Sequence, residues 1–446
     1  VLQNQPNLLD DLFDFIDDSP TAYHAIHTIR GRLRTEGYSE LEEQARWSLE
    51  PGGTYFVTRG YSTLAAFRLG DGSPPDSGFF ICGAHTDSPG LKLKGEKLSQ
   101  GDGALRGSVE VYGGPILSTW LDRELALAGI ISVDSADTPR LFDTVKPVAV
   151  VPNAAVHLNR DVNKSFEYNK QVHLQAMFGV DDSRKGLGDS TEKDDPGTGI
   201  RELIADSLEV DPKSIRRGEY FLHHPSSGTR IGYHPGDDGL IVTGRLDNLA
   251  MCHAALTALL RGEHGDAVQM VVFYDNEEIG SRTFQGAGSN FLGNLIRRIC
   301  IVCGFSEEER LIAEARSFFI SADAAHGLHP SYPEKYDKEY SPLINAGPVL
   351  KVNGNRRYAT AFDTGGYVEC VARDAEIPLQ EYIIRSDLTS GGTIGALSAA
   401  SLGIPTVDIG NPIWAMHSIR ETGGGRDHGL MIDLLSACSS AWQGRL

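Results

Sequence analysis

Residues 268–281 read VQMVVFYDNEEIGS. An uncharged, largely apolar run of strand type, Val268 to Tyr274, stops at Asp275, Asn276, Glu277 and Glu278. Three carboxylates crowded where a strand ends are expensive to keep ionised unless a positive charge faces them. Short apolar strands ending in ligand-type residues recur along the chain. GFFICGAH (78–85) delivers His85, with Asp87 two residues on. FFISAD (318–323) delivers Asp323, and TVDIGNPIWAMH (406–417) delivers His417 after a loop. VTGRLDN (242–248) brings Asp247 to the start of an apolar helix.

Helix-like segments separate these strands, which predicts an α/β domain containing a mixed sheet. In such sheets ligands bind beyond the carboxyl ends of the strands. The scattered acids and imidazoles are therefore expected to converge on one rim, where a divalent cation neutralises them. Oxygen and imidazole donors without thiolate suit Zn2+, with Mn2+ or Co2+ as substitutes. Two such ions can share a carboxylate, polarise a carbonyl and activate a water, while one carboxylate stays off the metal as general base. Adjacent Glu277 and Glu278 suit this division, because successive side chains diverge. Asp87 is expected to accept a hydrogen bond from His85 and set its tautomer. His326 and His329 read as structural.

The wider composition is that of an ordinary globular chain: 446 residues, 40% hydrophobic, long enough for two or three domains or for one domain with an insertion. A net charge of −19 argues against nucleic acid or an anionic membrane as partner. Six cysteines in mostly apolar contexts, including the lone Cys300–Cys303 pair, read as buried thiols of a reducing compartment. The start is acidic and lacks signal-peptide character, and no apolar run nears the roughly 20 residues of a membrane span, so a cytoplasmic location is expected. Residues 8–36 carry apolar positions at helical spacing, interrupted by a restart at DSPTA with a serine or aspartate cap. Between 93 and 235 the texture turns glycine-rich and strand-like, and 181–199 reads as a surface loop. The expected organisation is a discontinuous catalytic domain (1–92 and 236–446) with an inserted β-rich domain (93–235).

GAHTDSPGLKLK, GRLDNL, DNEEIGSRT, SADAAHGLHPSYPEKYD, KVNGNRRYAT and MHSIRE occur in an order and spacing similar to those of the aspartyl aminopeptidases, dinuclear zinc exopeptidases that include a yeast vacuolar aminopeptidase. The resemblance covers essentially the whole chain. It implies that His85 and Asp323 bind one zinc, that Glu278 and His417 bind the other, and that Asp247 bridges them, followed by a cis peptide. It implies Glu277 as the base. It makes the insertion a dimerisation domain, in dimers that build a tetrahedral dodecamer. A histidine from that domain, His157 with His173 as the weaker alternative, is implied to reach a neighbour's active site. Preference for acidic N-terminal residues of peptides is implied to rest on a local cation, Lys351, with Arg356 and Arg357 as rivals. Gly391, Gly392 and Thr393 would line the pocket, although Ser390-Gly391-Gly392 stands where the family often has Pro-Cys-Gly. Three other readings stay open: a neutral or broad aminopeptidase, separable by paired Asp-, Glu- and Leu-amide assays; a two-metal phosphoesterase, which these loops scarcely equip with phosphate-binding cations; and a non-catalytic binding or assembly protein, separable by metal content and one amide assay.

Overall fold

The computed structural model describes residues 7–134, 138–180, 198–233, 239–263 and 265–446. Residues 181–197 of the expected surface loop and the expected boundary at 235/236 lie outside this set; residues 198 and 199 open the helix Thr198–Leu208. The chain divides into two compact units, one of residues 1–88, 227–416 and 421–446, the other of residues 89–226 and 417–420.

The first unit is built on a nine-stranded sheet in the order Ser39–Leu41, Thr54–Arg59, Thr63–Arg68, Val268–Tyr274, Phe79–His85, Phe318–Ala322, Thr406–Gly410, Val349–Val352, Gln380–Ile383. The four central strands, Val268–Tyr274 to Thr406–Gly410, run parallel. Antiparallel partners flank them on both sides, Thr63–Arg68 and Val349–Val352. Side chains of a strand alternate between faces, and here both faces are apolar. Phe79 and Ile81 join a cluster with Phe291, Leu295 and Ile299, from the helix Phe291–Val302. Phe80, Cys82 and Ala84 join a second cluster with Ile26, Leu249 and Leu435, from the helices Ala22–Thr35, Leu246–Arg261 and Gly425–Ala441. Val268, Met270, Val272 and Tyr274 sort to the first cluster, and Val271 and Phe273 to the second. Each buried Phe, Leu or Ile contributes about 1.5–3 kcal/mol, so this sheet sandwiched between helices carries the unit's stability. A smaller five-stranded sheet in the same unit contains Ala325–His326, Pro412–Trp414 and Glu421–Gly424.

The N-terminal helical region comprises Leu8–Asp17 and Ala22–Thr35. The second helix is capped by Thr21, whose hydroxyl accepts the His24 amide, and not by the serine or aspartate before Pro20. The DNEE segment does not open an α-helix. Asn276 adopts a left-handed conformation (φ 63°), which asparagine tolerates, and Glu277–Ile279 form one 3-10 turn.

In the second unit six antiparallel strands lie in the order Arg140–Asp143, Ala126–Val133, Ile215–His223, Gly90–Gly101, Ala104–Tyr112, Gln175–Val180. The helix Thr198–Leu208 packs Ile200 and Ile204 into a core with Leu91, Leu127 and Ile131. Among the described residues no helix is long and apolar enough to cross a membrane.

Within the first unit a buried polar chain ties the N-terminal helix to two others. His253 Nε2 lies 2.8 Å from Asp11 Oδ2, and His253 Nδ1 lies 2.9 Å from His428 Nε2. These contacts are satisfied when His253 donates from Nε2 to Asp11 and His428 donates from Nε2 to His253. His428 Nδ1 then carries a lone pair, with no hydrogen-bond partner among the described residues. Burial holds both imidazoles below the ordinary histidine range, His428 well below it. Both are therefore neutral in the fold, while in the unfolded chain they gain protons near pH 6.5. Stability is complete above that value and falls as pH drops below it, by about 1.4 kcal/mol for each unit of pKa depression. Melting temperature, followed by circular dichroism, is expected to fall between pH 7 and pH 5. His428→Leu should lower the midpoint at pH 7 and make that pH dependence shallower; an unchanged slope would show that these histidines do not govern it.

Candidate active site

Parallel strands stop in register at one edge of the large sheet. Tyr274 pairs with His85, Gly83 with Ser321, and Ala322 with Ile409, so His85, Asp275 and Asp323 leave the sheet side by side. Backbone approach at this edge is close: a Cβ on Gly410 would stand 1.8 Å from the Asp323 carbonyl oxygen, so only glycine fits there.

His85 is buried, with Nδ1 3.0 Å from the carbonyl oxygen of Asp87 and 3.4 Å from its carboxylate. Its other nitrogen, Nε2, stands 3.4 Å from Asp247 Oδ1 and 3.9 Å from Asp323 Oδ2. Donors from His85, Asp247 and Glu278 all lie within 4.8 Å of one another. With Nδ1–H donating to Asp87, Nε2 is the nitrogen that presents a lone pair to this cluster.

The Asp87 carboxylate has a second task besides its contact with the imidazole. It accepts the backbone amides of Glu277 (3.0 Å) and Glu278 (3.1 Å), pinning the DNEE turn, while the Asp87 carbonyl takes the contact with His85. Asp247 leads its helix through a cis peptide to Asn248, and neither residue has helical dihedrals. Its amide donates to Glu421 Oε2 (3.0 Å) and its carbonyl accepts from Ser88 (2.8 Å). Asn248 donates to the Ala322 carbonyl (2.9 Å) and accepts from the Ala324 amide (3.3 Å), bracketing Asp323. Glu421, Ser88 and Asn248 had no role assigned from sequence. Their sign in the sequence was membership of the quoted motifs, Ser88 in GAHTDSPGLKLK, Asn248 in GRLDNL and Glu421 in MHSIRE.

The electrostatics ask for a cation. Burial pushes the Glu277 carboxyl up to about 8; His85 opposes this, while Asp323, Glu278 and Asp247 add to it. Burial disfavours a charged His85, yet hydrogen bonds to Asp247 and Asp87 and the charge of Glu277 outweigh it, lifting its pKa well above the ordinary range. A nest that protonates its own imidazole and carboxylate is one that a dication would neutralise. Zinc–ligand bonds of about 2.0–2.1 Å in a tetrahedral sphere separate neighbouring donors by about 3.3 Å. The 3.4 Å between His85 Nε2 and Asp247 Oδ1 matches this. The donor set, imidazole and carboxylates without sulfur, fits zinc.

The other expected residues make contacts of their own. Lys351 is only 2% exposed, and its ammonium contacts the Asp323 carbonyl (2.9 Å), Asp323 Oδ1 (3.2 Å) and the Ala324 carbonyl (3.2 Å). The three ammonium protons each have an acceptor in these contacts. Arg356 and Arg357 are exposed, Arg356 donating to the Thr360 carbonyl. Gly391 and Gly392 are exposed, whereas Thr393 is buried, caps the helix Ile394–Leu402 and donates to Asp408 (2.6 Å). His326 and His329 pack against Tyr382, and against Tyr332 and Trp414. In the second unit, His417 has a positive φ of 70° and its Nδ1 lies 3.0 Å from the Gly114 carbonyl. His157 is exposed in an irregular segment, and His173 accepts the Asn169 amide.

Comparison with known proteins accords with this geometry. Residues 15–438 match the model of the family described as aminopeptidase I zinc metalloprotease (M18). A probable M18 family aminopeptidase 2 of Clostridium novyi (strain NT) is 38% identical over 432 residues, covering 96% of this chain and 97% of that protein. Among solved structures, a chain of the Ape4 and Nbr1 complex superposes with a TM-score of 0.90 at 35% identity, covering 96% of this chain and 85% of that one. A chain of the structure described as "S. cerevesiae mApe1 dodecamer" gives 0.83 at 27% identity, covering 98% and 97%. With a family match spanning nearly its whole length, the chain belongs to the M18 family of zinc metallo-aminopeptidases.

Proposed function

We propose that the protein removes acidic residues, Asp or Glu, from peptide N-termini with two zinc ions and Glu277 as general base. The observation that carries this is the gathering of His85, Asp247 and Glu278 donors within 4.8 Å, with Glu277 beside them. In this reading His85 and Asp323 hold one ion, Glu278 and His417 the other, and Asp247 serves both. For His417 the support is its motif, MHSIRE, together with a tautomer in which Nδ1–H donates to Gly114 and Nε2 is the ligating atom. Bound zinc would polarise the scissile carbonyl and make the attacking water acidic. Glu277 takes the proton from that water and returns it to the leaving amine. The substrate's cationic N-terminus is drawn to the surrounding carboxylates, which limits the enzyme to chain ends. Asp87 keeps Glu277 and Glu278 on their separate tasks by holding both backbone amides.

We further propose that the unit of residues 89–226 and 417–420 mediates dimerisation and that dimers close into a tetrahedral dodecamer. The likeness to a dodecameric structure supports this. His157 of the partner subunit would then steady the developing oxyanion, a role supported by its exposure on an irregular segment. For acidic selectivity, Lys351 is the first candidate to read the side chain, with the exposed Arg356 and Arg357 as its rivals. A neutral preference is the competing reading, favoured by the full engagement of Lys351 with residues 323 and 324.

Chelation is expected to abolish amide hydrolysis, and zinc, manganese or cobalt to restore it; kcat/KM across Asp-, Glu-, Leu- and Ala-amides then decides selectivity. Equal rates on all four would remove the acidic preference, and activity surviving complete metal removal would sink the metal-based reading. Glu277→Ala should keep its metal, measured by elemental analysis, while losing about 10²–10⁴ in kcat; wild-type turnover would show that another group is the base. Co-assembled His157→Ala and Glu277→Ala protomers should recover activity that neither variant has alone. Verified mixed oligomers that stay inactive would exclude a role for His157 across subunits.

A further inference from the structure

The strands that deliver His85 and Asp323 part where the site begins. They pair in parallel only as far as Gly83 opposite Ser321. Beyond that point His85 stays paired with Tyr274 on its other side, and Asp323 donates its amide to the Ile409 carbonyl (2.9 Å) on its own far side. Backbone groups of successive strand residues face opposite edges. Residues 323 and 325 donate to Ile409 and Asn411, so the Ala322 carbonyl and the Ala324 amide face the gap toward His85. Left unpaired in a buried place, both would be costly. Asn248 fills the missing rung: Nδ2 donates to the Ala322 carbonyl (2.9 Å) and Oδ1 accepts the Ala324 amide (3.3 Å), the two bonds a neighbouring strand would have made. This takes a donor and an acceptor side by side, which a side-chain amide offers. The residue before it, Asp247, is held from two further directions, by Glu421 on its amide and Ser88 on its carbonyl. Asn248 therefore fastens the backbone that carries Asp247 to the backbone that carries Asp323, whose carboxylates stand 3.4 Å and 3.9 Å from His85 Nε2.

We infer that Asn248 is a positioning residue of the metal site: it completes the interrupted ladder beside Asp323 and so sets the separation of the Asp247 and Asp323 carboxylates, without touching metal or substrate. The inference rests on the proposed reading of Asp247 as the shared ligand and Asp323 as a ligand of one ion. Its side chain is wholly buried and its amide is spent on the strand end, which leaves nothing to offer a substrate. Because Asp323 serves one ion only, a slackened spacing falls chiefly on the ion held by His85 and Asp323. Residues that hold metal ligands in place commonly support affinity by about 10–100-fold, and that is the scale expected here.

The test compares wild type with Asn248→Leu, which keeps the side chain's bulk and removes both bonds, as assembled proteins. Zinc is titrated in competition with a chromogenic chelator, and the melting temperature of the metal-free proteins is followed alongside. Asn248→Leu is expected to bind one zinc equivalent about 10–100-fold more weakly and the other within about threefold of wild type. At saturating zinc, KM for Glu- and Leu-amides should stay within about twofold of wild type, because the amide does not meet substrate. Wild-type affinity for both equivalents, with only the melting temperature lowered, would overturn the inference and leave Asn248 a folding element. Equal weakening of both equivalents would overturn it by moving the effect to Asp247, and a KM raised well beyond that range would make Asn248 a substrate contact. A wild type holding fewer than two equivalents would defeat the two-ion reading and the inference with it, and is recognised in the wild-type titration alone. Should Asn248→Leu fail to fold, a crystal structure of zinc-loaded wild type with a bound amino-acid hydroxamate decides. Asn248 still spanning residues 322 and 324 upholds the inference, and a side chain turned onto zinc or the hydroxamate refutes it.

Discussion

Like charges buried together must be compensated, and that constraint organises the first compact unit. Asp87, Asp247, Glu277, Glu278 and Asp323 are supplied by three parallel strands and one helix, all converging at the carboxyl edge of a sheet whose two faces are sealed by apolar side chains. Such a cluster survives in a folded chain only if each anion has a donor, a proton or a cation. Most of the hydrogen bonds around the site can be understood as parts of that settlement. Backbone amides of residues 277 and 278 satisfy Asp87, and Lys351 satisfies one oxygen of Asp323. The oxygens that face His85 Nε2 from Asp247 and Asp323 remain directed to a common centre.

The supporting residues explain how so much charge is held at fixed separations. Asn248 spans from the helix start to the backbone on both sides of Asp323, and Glu421 reaches the Asp247 amide from the five-stranded sheet. Even the sulfur of Cys252 is engaged, 3.0 Å from the His85 carbonyl. Placement on strand ends and a helix start gives tighter geometry than a loop would, and hydrolytic chemistry through a polarised carbonyl depends on tenths of an ångström.

Much of this is legible in the sequence. The run 268–274 followed by DNEE, and its parallel at 78–85, carry their meaning locally, because an apolar strand buries both faces wherever it is placed and charge cannot follow it into the core. His85, Asp247, Glu278 and Asp323 were legible for that reason. What could not be read was the direction in which each donor points. Asp87 meets the imidazole as its place two residues on suggests, but only the fold shows that its carbonyl makes the 3.0 Å contact while its carboxylate also takes the DNEE amides. The partner of the Thr393 hydroxyl, Asp408, lies 15 positions away and was equally hidden.

The sequence by itself determined the alternation of strands and helices, the chemical type of the candidate donor set and the family to which the chain belongs, because each depends on residue identity and short spacing. Only the tertiary structure decided what the Lys351 ammonium touches. Its neighbours in sequence, Leu350 and Val352, say nothing about Asp323, which lies 28 positions away and meets it solely because two strands bracket a third. Hydrogen bonds are short and directional, so the partner of a buried donor is fixed by the packing of distant segments and cannot be inferred from composition or periodicity.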